Sequence, residues 1–96
     1  DKAVGLGRKS AEERLASFFM VMAERIGRAD GSTFTLDLPM SRKDIADALG
    51  LTIETVSRQL GRLRELGLIE TSGRSGVRLL EPAALEARAA HLRLAG

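Results

Sequence analysis

The chain contains no cysteine, no tryptophan and no tyrosine. Without cysteine it can form no disulfide, no cysteine–zinc site and no thiol nucleophile, which is consistent with a reducing compartment. Three phenylalanines are the only aromatic residues among the 96, so the core must be mainly aliphatic. No apolar run approaches the roughly 18 residues of a membrane span, and no signal-peptide pattern opens the sequence. We therefore expect a cytoplasmic protein with no membrane partner.

Length and composition indicate one folded domain with little room for a catalytic cleft. Hydrophobic residues make up 44% of the chain and charged residues 29%, which is typical of a chain that folds. A domain this small buries a modest share of its surface. The sequence shows no nucleophile–base pair, "GLGRKS" lacks the strand that precedes a phosphate loop, and His91 has no companions for a metal site. We expect no enzyme and no cofactor in this domain.

The charge is only mildly basic, at +2 with a pI near 9.7, and does not by itself indicate a nucleic-acid partner. The distribution is more informative than the sum, because basic residues are frequent in the second half of the chain. These residues are Arg42, Lys43, Arg58, Arg62, Arg64, Arg74 and Arg78. They form a patch only if the fold gathers them on one face.

Local patterns predict the first two elements. Residues 1–9 lack periodicity and are expected to be a tail, or a linker from a missing upstream domain. Ser10 and Glu13 have the spacing of a capping box, and apolar residues then recur at helical spacing up to Ile26, which predicts a helix over residues 10–27. The following "RADGS" ends that helix. Residues 33–39 alternate apolar and polar side chains before a proline, which predicts a short strand.

Two short helices come next, separated by a glycine. Ser41 and Asp44 form a second capping box, Gly50 supplies a turn, and Thr52 caps a helix that runs to about residue 66. The predicted buried residues are Ile45, Ala46 and Leu49 on the first helix and Val56, Leu60 and Leu63 on the second. Two helices joined by so tight a turn make a helix-turn-helix.

The remaining segments complete a recognisable architecture. Apolar runs at residues 68–70 and 77–80 flank "TSGRSG", which predicts a β-hairpin. Pro82 opens a last helix, expected over residues 82–94. We therefore predict a winged helix-turn-helix over residues 10–96, a mostly α fold with a small β wing (α+β).

The second helix of the pair carries the candidate site. At about 100° per residue, Glu54 and Arg58 lie opposite the buried stripe, and Ser57 flanks them. Arginine can bind guanine O6 and N7, glutamate can accept from cytosine N4, and serine can serve either base. Because the first residues of a recognition helix reach base edges, we expect these three residues to read DNA.

Other polar residues are candidates for phosphate contacts. They are Ser41, Arg42 and Lys43 at the start of the first helix of the pair, Thr52 and Thr55 at the start of the second, and Arg74 at the tip of the wing. Helix N-termini and basic side chains both favour phosphate. Each of these residues has an ordinary alternative as a solvated cap or loop residue.

Three alternatives stay open from the residues alone. Glu54 and Arg58 have the order and spacing of a surface ion pair on a helix. A winged helix can also serve as a protein–protein interaction module, in which case the exposed face of its second helix should carry apolar anchors. An RNA-binding winged helix should offer aromatic side chains for stacking, and the three phenylalanines are placed in the core by the pattern.

The stretch "MSRKDIADALGLTIETVSRQLGRLRELGLIE" closely resembles the DNA-binding domain of CRP/FNR transcription regulators. The resemblance covers roughly residues 5–80, and the E-x-x-S-R pattern at Glu54, Ser57 and Arg58 is that of the FNR/FixK-like branch. It implies recognition of a TTGAT-like half-site, with Arg58 on guanine and the other two residues on neighbouring base pairs.

The same resemblance implies partners for the intact protein. These are double-stranded DNA, RNA polymerase and a second copy of the chain, bound to a palindrome whose half-sites lie about one helical turn apart. The isolated domain is expected to be a monomer or a weak dimer. The resemblance implies a sensory and dimerisation domain N-terminal to this one, and it leaves open whether that domain binds a cyclic nucleotide, an iron–sulfur cluster, haem or no ligand.

Overall fold

Helix α1 (Ala11–Ile26) begins where the capping box predicts. In the structure, a computed structural model that describes residues 10–89, the Ser10 Oγ accepts from the Glu13 N–H at 3.1 Å. The Glu13 carboxylate in turn accepts from the Ser10 N–H at 2.7 Å. This reciprocal pair satisfies backbone donors that the first turn of a helix otherwise leaves open. The predicted first helix is therefore confirmed at its N-terminus, whereas residues 1–9 lie outside the described part of the chain.

Four short strands form one antiparallel sheet in the order β1-β2-β4-β3. The strands are β1 (Arg28–Asp30), β2 (Thr33–Asp37), β3 (Ile69–Ser72) and β4 (Gly76–Leu79). Strands β3 and β4 are the predicted hairpin, and β4 also pairs with β2, which places Leu36 opposite Val77. The wing is thus anchored to the first half of the chain by a shared sheet.

Strand β1 was not predicted, because "RADGS" was expected only to end the first helix. All three residues of β1 are exposed, so they show none of the apolar alternation by which a strand is recognised. The strand exists because its backbone pairs with β2, with Ala29 opposite Phe34. Strand β2 ends at Asp37, two residues before the predicted end, and Pro39 has no N–H with which to extend the pairing.

Helices α2 (Arg42–Leu49) and α3 (Ile53–Glu65) form the predicted helix-turn-helix. Gly50 follows α2 in the left-handed conformation, with φ of 70°, and its N–H bonds back to the Asp47 carbonyl at 3.3 Å. Glycine adopts this backbone conformation without the steric cost that a Cβ adds. The chain therefore leaves α2, turns within three residues, and enters α3 at the Thr52 cap.

One hydrophobic core joins the helices and the sheet. Its largest fully buried side chains are Leu15, Phe19, Leu36, Val56, Leu63, Ile69, Leu79 and Leu85. All are aliphatic except Phe19, as the composition requires. Ile26, the last apolar residue of the helical pattern in α1, is exposed, because it lies at the very end of the helix.

Helix α4 (Pro82–Ala89) begins at the predicted proline and buries Leu85 and Ala89. The rest of the predicted last helix, including His91 and Leu92, lies outside the described residues. Among residues 10–89, no helix has both the length and the apolar character needed to cross a membrane. The described elements therefore match a winged helix-turn-helix with one additional strand.

Two glycine substitutions are expected to change stability in opposite directions. Gly50→Ala should lower the free energy of unfolding by about 1–2 kcal/mol, because it forces a Cβ into the left-handed region. Gly61→Ala should raise it by about 0.5–1 kcal/mol, since Gly61 lies inside α3 and an added Cβ would approach the nearest side-chain atom no closer than 3.7 Å. Urea denaturation followed by circular dichroism would measure both, and a stabilised Gly50→Ala variant would contradict this account of the turn.

Candidate nucleic-acid interface

Helix α3 separates its residues cleanly into a buried and an exposed side. Val56, Leu60 and Leu63 are buried in the core, as predicted. On the other side Glu54 and Arg58 are exposed, and Ser57 is half-buried beside them. The structure therefore brings the three predicted base-reading residues together on the first two turns of α3.

Glu54 and Arg58 are not paired with each other. Between residues 10 and 89 the ion pairs are Lys43–Asp47, Arg62–Glu12, Arg78–Asp30 and Arg88–Glu12. The surface ion pair that the four-residue spacing permits is thus not formed. Both side chains keep their hydrogen-bonding groups available for a partner outside this chain.

The basic residues that follow Pro39 divide by whether they have a partner. Lys43, Arg62, Arg78 and Arg88 pair with carboxylates, and Arg64 donates to the Thr71 hydroxyl at 3.4 Å. Within the described part of the chain, three have neither an ion pair nor a side-chain hydrogen bond: Arg42, Arg58 and Arg74. These three lie at the start of α2, on the exposed side of α3 and in the wing loop, the positions at which the sequence predicts DNA contacts.

Arg42 and Arg74 border the same cavity although they are 32 positions apart in the sequence. Both line one small cavity between the start of α2 and the wing loop, whose lining also includes Ile45, Leu60 and Val77. The start of α2 and the wing loop border the same cavity, which places the two cations at the same edge of the domain. A phosphate backbone lying along that edge can accept hydrogen bonds from both.

Lys43 is engaged differently from Arg42. Its ammonium group donates to Asp47 Oδ2 at 3.0 Å, one helical turn further on. This hydrogen bond, with the charges of Asp47 and Asp44, raises the pKa of Lys43 above its ordinary value. Lys43 therefore remains protonated through the physiological range, with part of its charge balanced by Asp47.

The three hydroxyl residues predicted to contact phosphates lie at helix starts, and two of them, Ser41 and Thr52, are N-caps. Ser41 Oγ accepts from the Asp44 N–H at 3.1 Å. Thr52 Oγ1 accepts from the Thr55 N–H at 3.1 Å and donates to the Thr55 hydroxyl at 3.0 Å. These bonds fix the backbone at the start of α2 and α3, where free N–H groups and the helix dipole favour an anion.

The structure adds residues that the sequence analysis did not single out. Ile53, the first residue of α3, leaves 45% of its surface exposed next to Glu54, and an apolar side chain there can contact a thymine methyl group. Arg14 of α1 donates through Nη1 to the Leu49 carbonyl at 3.1 Å, which fixes the C-terminus of α2. No sequence signal reveals that contact, because the two residues are 35 positions apart.

These features define a winged helix-turn-helix whose second helix presents an exposed polar face. A profile of the Crp-like helix-turn-helix domain family matches residues 13–88, and the chain belongs to this family of domains from DNA-binding transcription regulators. The family resemblance stated from the sequence is confirmed, as is the predicted fold.

Known regulators are similar to the chain over nearly its whole length. The nitrogen fixation regulation protein FixK of Bradyrhizobium diazoefficiens is 50% identical over 90 residues, which cover 94% of this chain and 38% of that protein. The fumarate and nitrate reduction regulatory protein of Salmonella typhimurium is 39% identical over 93 residues, covering 97% and 37%. The chain thus spans less than two-fifths of these relatives, which are regulators and not enzymes.

A solved structure shows the same arrangement. FixK2 from Bradyrhizobium japonicum superposes with a TM-score of 0.73 at 44% identity, covering 84% of this chain and 39% of that one. The match includes a relative from the FixK-like branch that the E-x-x-S-R pattern indicated.

Removal of the α3 cap is expected to destabilise the domain. Thr52→Ala should lower the free energy of unfolding by about 1 kcal/mol, because the Thr55 N–H loses its acceptor. Thr52→Ser keeps a hydroxyl at the same position and should stay close to wild type. Chemical denaturation measures both, and equal losses in the two variants would show that the methyl group, and not the cap, matters.

Proposed function

We propose that this chain is the DNA-binding domain of a transcription regulator, with α3 reading a TTGAT-like half-site in the major groove. The observation that carries the proposal is the unpaired polar side of the first two turns of α3, formed by the exposed Glu54 and Arg58 with the half-buried Ser57 beside them. Arg58 binds guanine through O6 and N7, and the other two residues contact neighbouring base pairs. Ile53 adds an apolar contact to a thymine methyl group.

Phosphate contacts surround this reading surface. Arg42 and Arg74 share one edge of the domain, and the free N–H groups at the start of α2 and α3 lie beside Ser41, Lys43, Thr52 and Thr55. Contacts to phosphates fix the position of the domain on the duplex without specifying sequence. The wing loop therefore contributes affinity, and α3 contributes specificity.

The intact protein is proposed to act as a cytoplasmic homodimer that contacts RNA polymerase. Its relatives are longer than this chain, and two copies of a helix-turn-helix read a palindrome when joined by a separate dimerisation element. The domain itself requires no cofactor in this proposal. Its affinity for a single half-site should be modest, because it lacks the effective concentration that a second linked domain provides.

Arg58→Ala is expected to cost about 1–3 kcal/mol of binding free energy on a duplex carrying the half-site. The loss should be much smaller on a duplex whose guanine is replaced, since the bidentate contact is already absent there. Fluorescence anisotropy on the two duplexes measures this difference. Arg64→Ala is the matched control, because Arg64 is a cation on the same helix that faces Thr71 of β3, and it should keep the preference.

An equal loss on both duplexes for Arg58→Ala would refute base reading by this residue. If wild type shows no preference either, α3 is an exposed charged face, and the winged-helix protein-interaction module becomes the better proposal.

Arg74→Ala is expected to weaken binding to specific and random DNA by the same factor. Loss of one phosphate contact should reduce the slope of log affinity against log salt concentration by about 0.9. Arg78→Ala provides the control, because Arg78 lies on the adjacent strand with its guanidinium 3.2 Å from Asp30. A sequence-dependent loss for Arg74→Ala would assign this residue to base reading instead.

A further inference from the structure

Arg62 lies one helical turn beyond Arg58 on α3. Four residues correspond to about 400°, so the two arginines are offset by only about 40° around the helix. The Arg62 side chain is 58% exposed. It therefore extends the exposed side of α3 towards the C-terminal half of the helix, where docked recognition helices leave the base edges and approach the backbone.

Only one of the three guanidinium nitrogens of Arg62 has a hydrogen-bond partner among the described residues. Its Nε donates to Glu12 Oε1 at 3.2 Å. Within residues 10–89, neither of its two terminal amino groups has a hydrogen-bond or ion-pair partner. The contact thus restrains the side chain through its inner nitrogen. The two terminal amino groups, whose fork geometry suits bidentate binding of a phosphate, are left without a partner in this part of the chain.

Glu12 is itself fixed from a second direction. Its other carboxylate oxygen accepts from Arg88 Nη1 of α4, and only 19% of the Glu12 side chain is exposed. The neighbouring capping box of Ser10 and Glu13 holds the turn of α1 that carries it. One carboxylate therefore joins α1, α3 and α4, and the cluster of two arginines and one glutamate keeps a net charge of +1.

We propose that Arg62 is a contact to a DNA phosphate and that Glu12 is its positioning residue. The inference rests on the proposed function, since it needs α3 in the groove. An arginine already restrained by an intramolecular bond loses less side-chain freedom on binding than a free one does. Glu12 therefore strengthens DNA binding even though its own charge is repelled by DNA.

Because Glu12 repels DNA by its charge but favours binding by restraining Arg62, the direction in which Glu12→Gln changes the DNA affinity tests the proposal. If Glu12 only neutralised Arg62, Glu12→Gln would release positive charge and strengthen binding. As a positioning residue, Glu12 should give the reverse result, and Glu12→Gln should weaken binding by about two- to tenfold on specific and random duplexes alike. Tighter binding of Glu12→Gln would overturn the proposal.

The test is a set of anisotropy titrations of the 96-residue chain at several salt concentrations, on a half-site duplex and a random duplex. Arg62→Gln should lower the salt slope by about 0.9 on both. The double variant Glu12→Gln/Arg62→Gln should bind no more weakly than Arg62→Gln alone, because Glu12 acts through Arg62. Additive losses in the double variant would contradict this coupling.

Two control variants separate DNA contact from folding. Arg64→Gln removes a cation from the opposite side of α3, and Arg88→Gln removes the other partner of Glu12 while leaving the Arg62 contact. Both should keep the wild-type salt slope, and thermal denaturation should show all variants folded at the assay temperature. A slope lowered equally by either control would overturn the proposal, because general charge or the integrity of the cluster would then explain the effect.

Failure of this inference can be distinguished from failure of the proposed function. If wild type binds the half-site with preference and Arg62→Gln leaves the salt slope unchanged, only the role of Arg62 is refuted. If wild type does not bind DNA at all, the proposed function is refuted and the inference with it.

Discussion

The exposed face of α3 depends on the burial of its opposite side. Val56, Leu60 and Leu63 enter the same core as the α1 residues Leu15 and Phe19. Burying an aliphatic side chain contributes about 1.5–3 kcal/mol to the stability of the fold. Rotating α3 so that Glu54 and Arg58 were buried instead would lose several such contributions and would bury two charges. The apolar stripe therefore determines which residues face solvent, and the polar face needs no stabilising contacts of its own.

Capping and turn contacts then fix where α3 begins. Gly50 allows the chain to reverse direction after α2, and Arg14 donates a hydrogen bond to the carbonyl of the last α2 residue. Thr52 caps α3 by accepting a hydrogen bond from a backbone N–H of its first turn. An error of one residue in this start would rotate every side chain by about 100°. A site that reads base edges requires better precision than that, which explains why so many polar contacts are concentrated around a turn of three residues.

Local sequence signals were sufficient for most of the fold and for the location of the candidate site. Capping boxes, the glycine turn and the stripe at Val56, Leu60 and Leu63 all involve residues within one or two helical turns, so spacing alone reveals them. Strand β1 and the contacts of Glu12 could not be predicted in this way. The first depends on backbone pairing with β2, and the second joins positions 12, 62 and 88, which only the folded chain brings together.

The fold of this weakly charged chain determines which of its basic side chains have no partner within the domain. Among the described residues after Pro39, most basic side chains contact a carboxylate or a hydroxyl, whereas Arg42, Arg58 and Arg74 do not. A surface of many free cations would bind any DNA strongly through phosphates alone. In the proposed function, few free cations at defined positions would limit non-specific binding, so that the proposed base contacts of α3 would account for a larger share of the binding free energy.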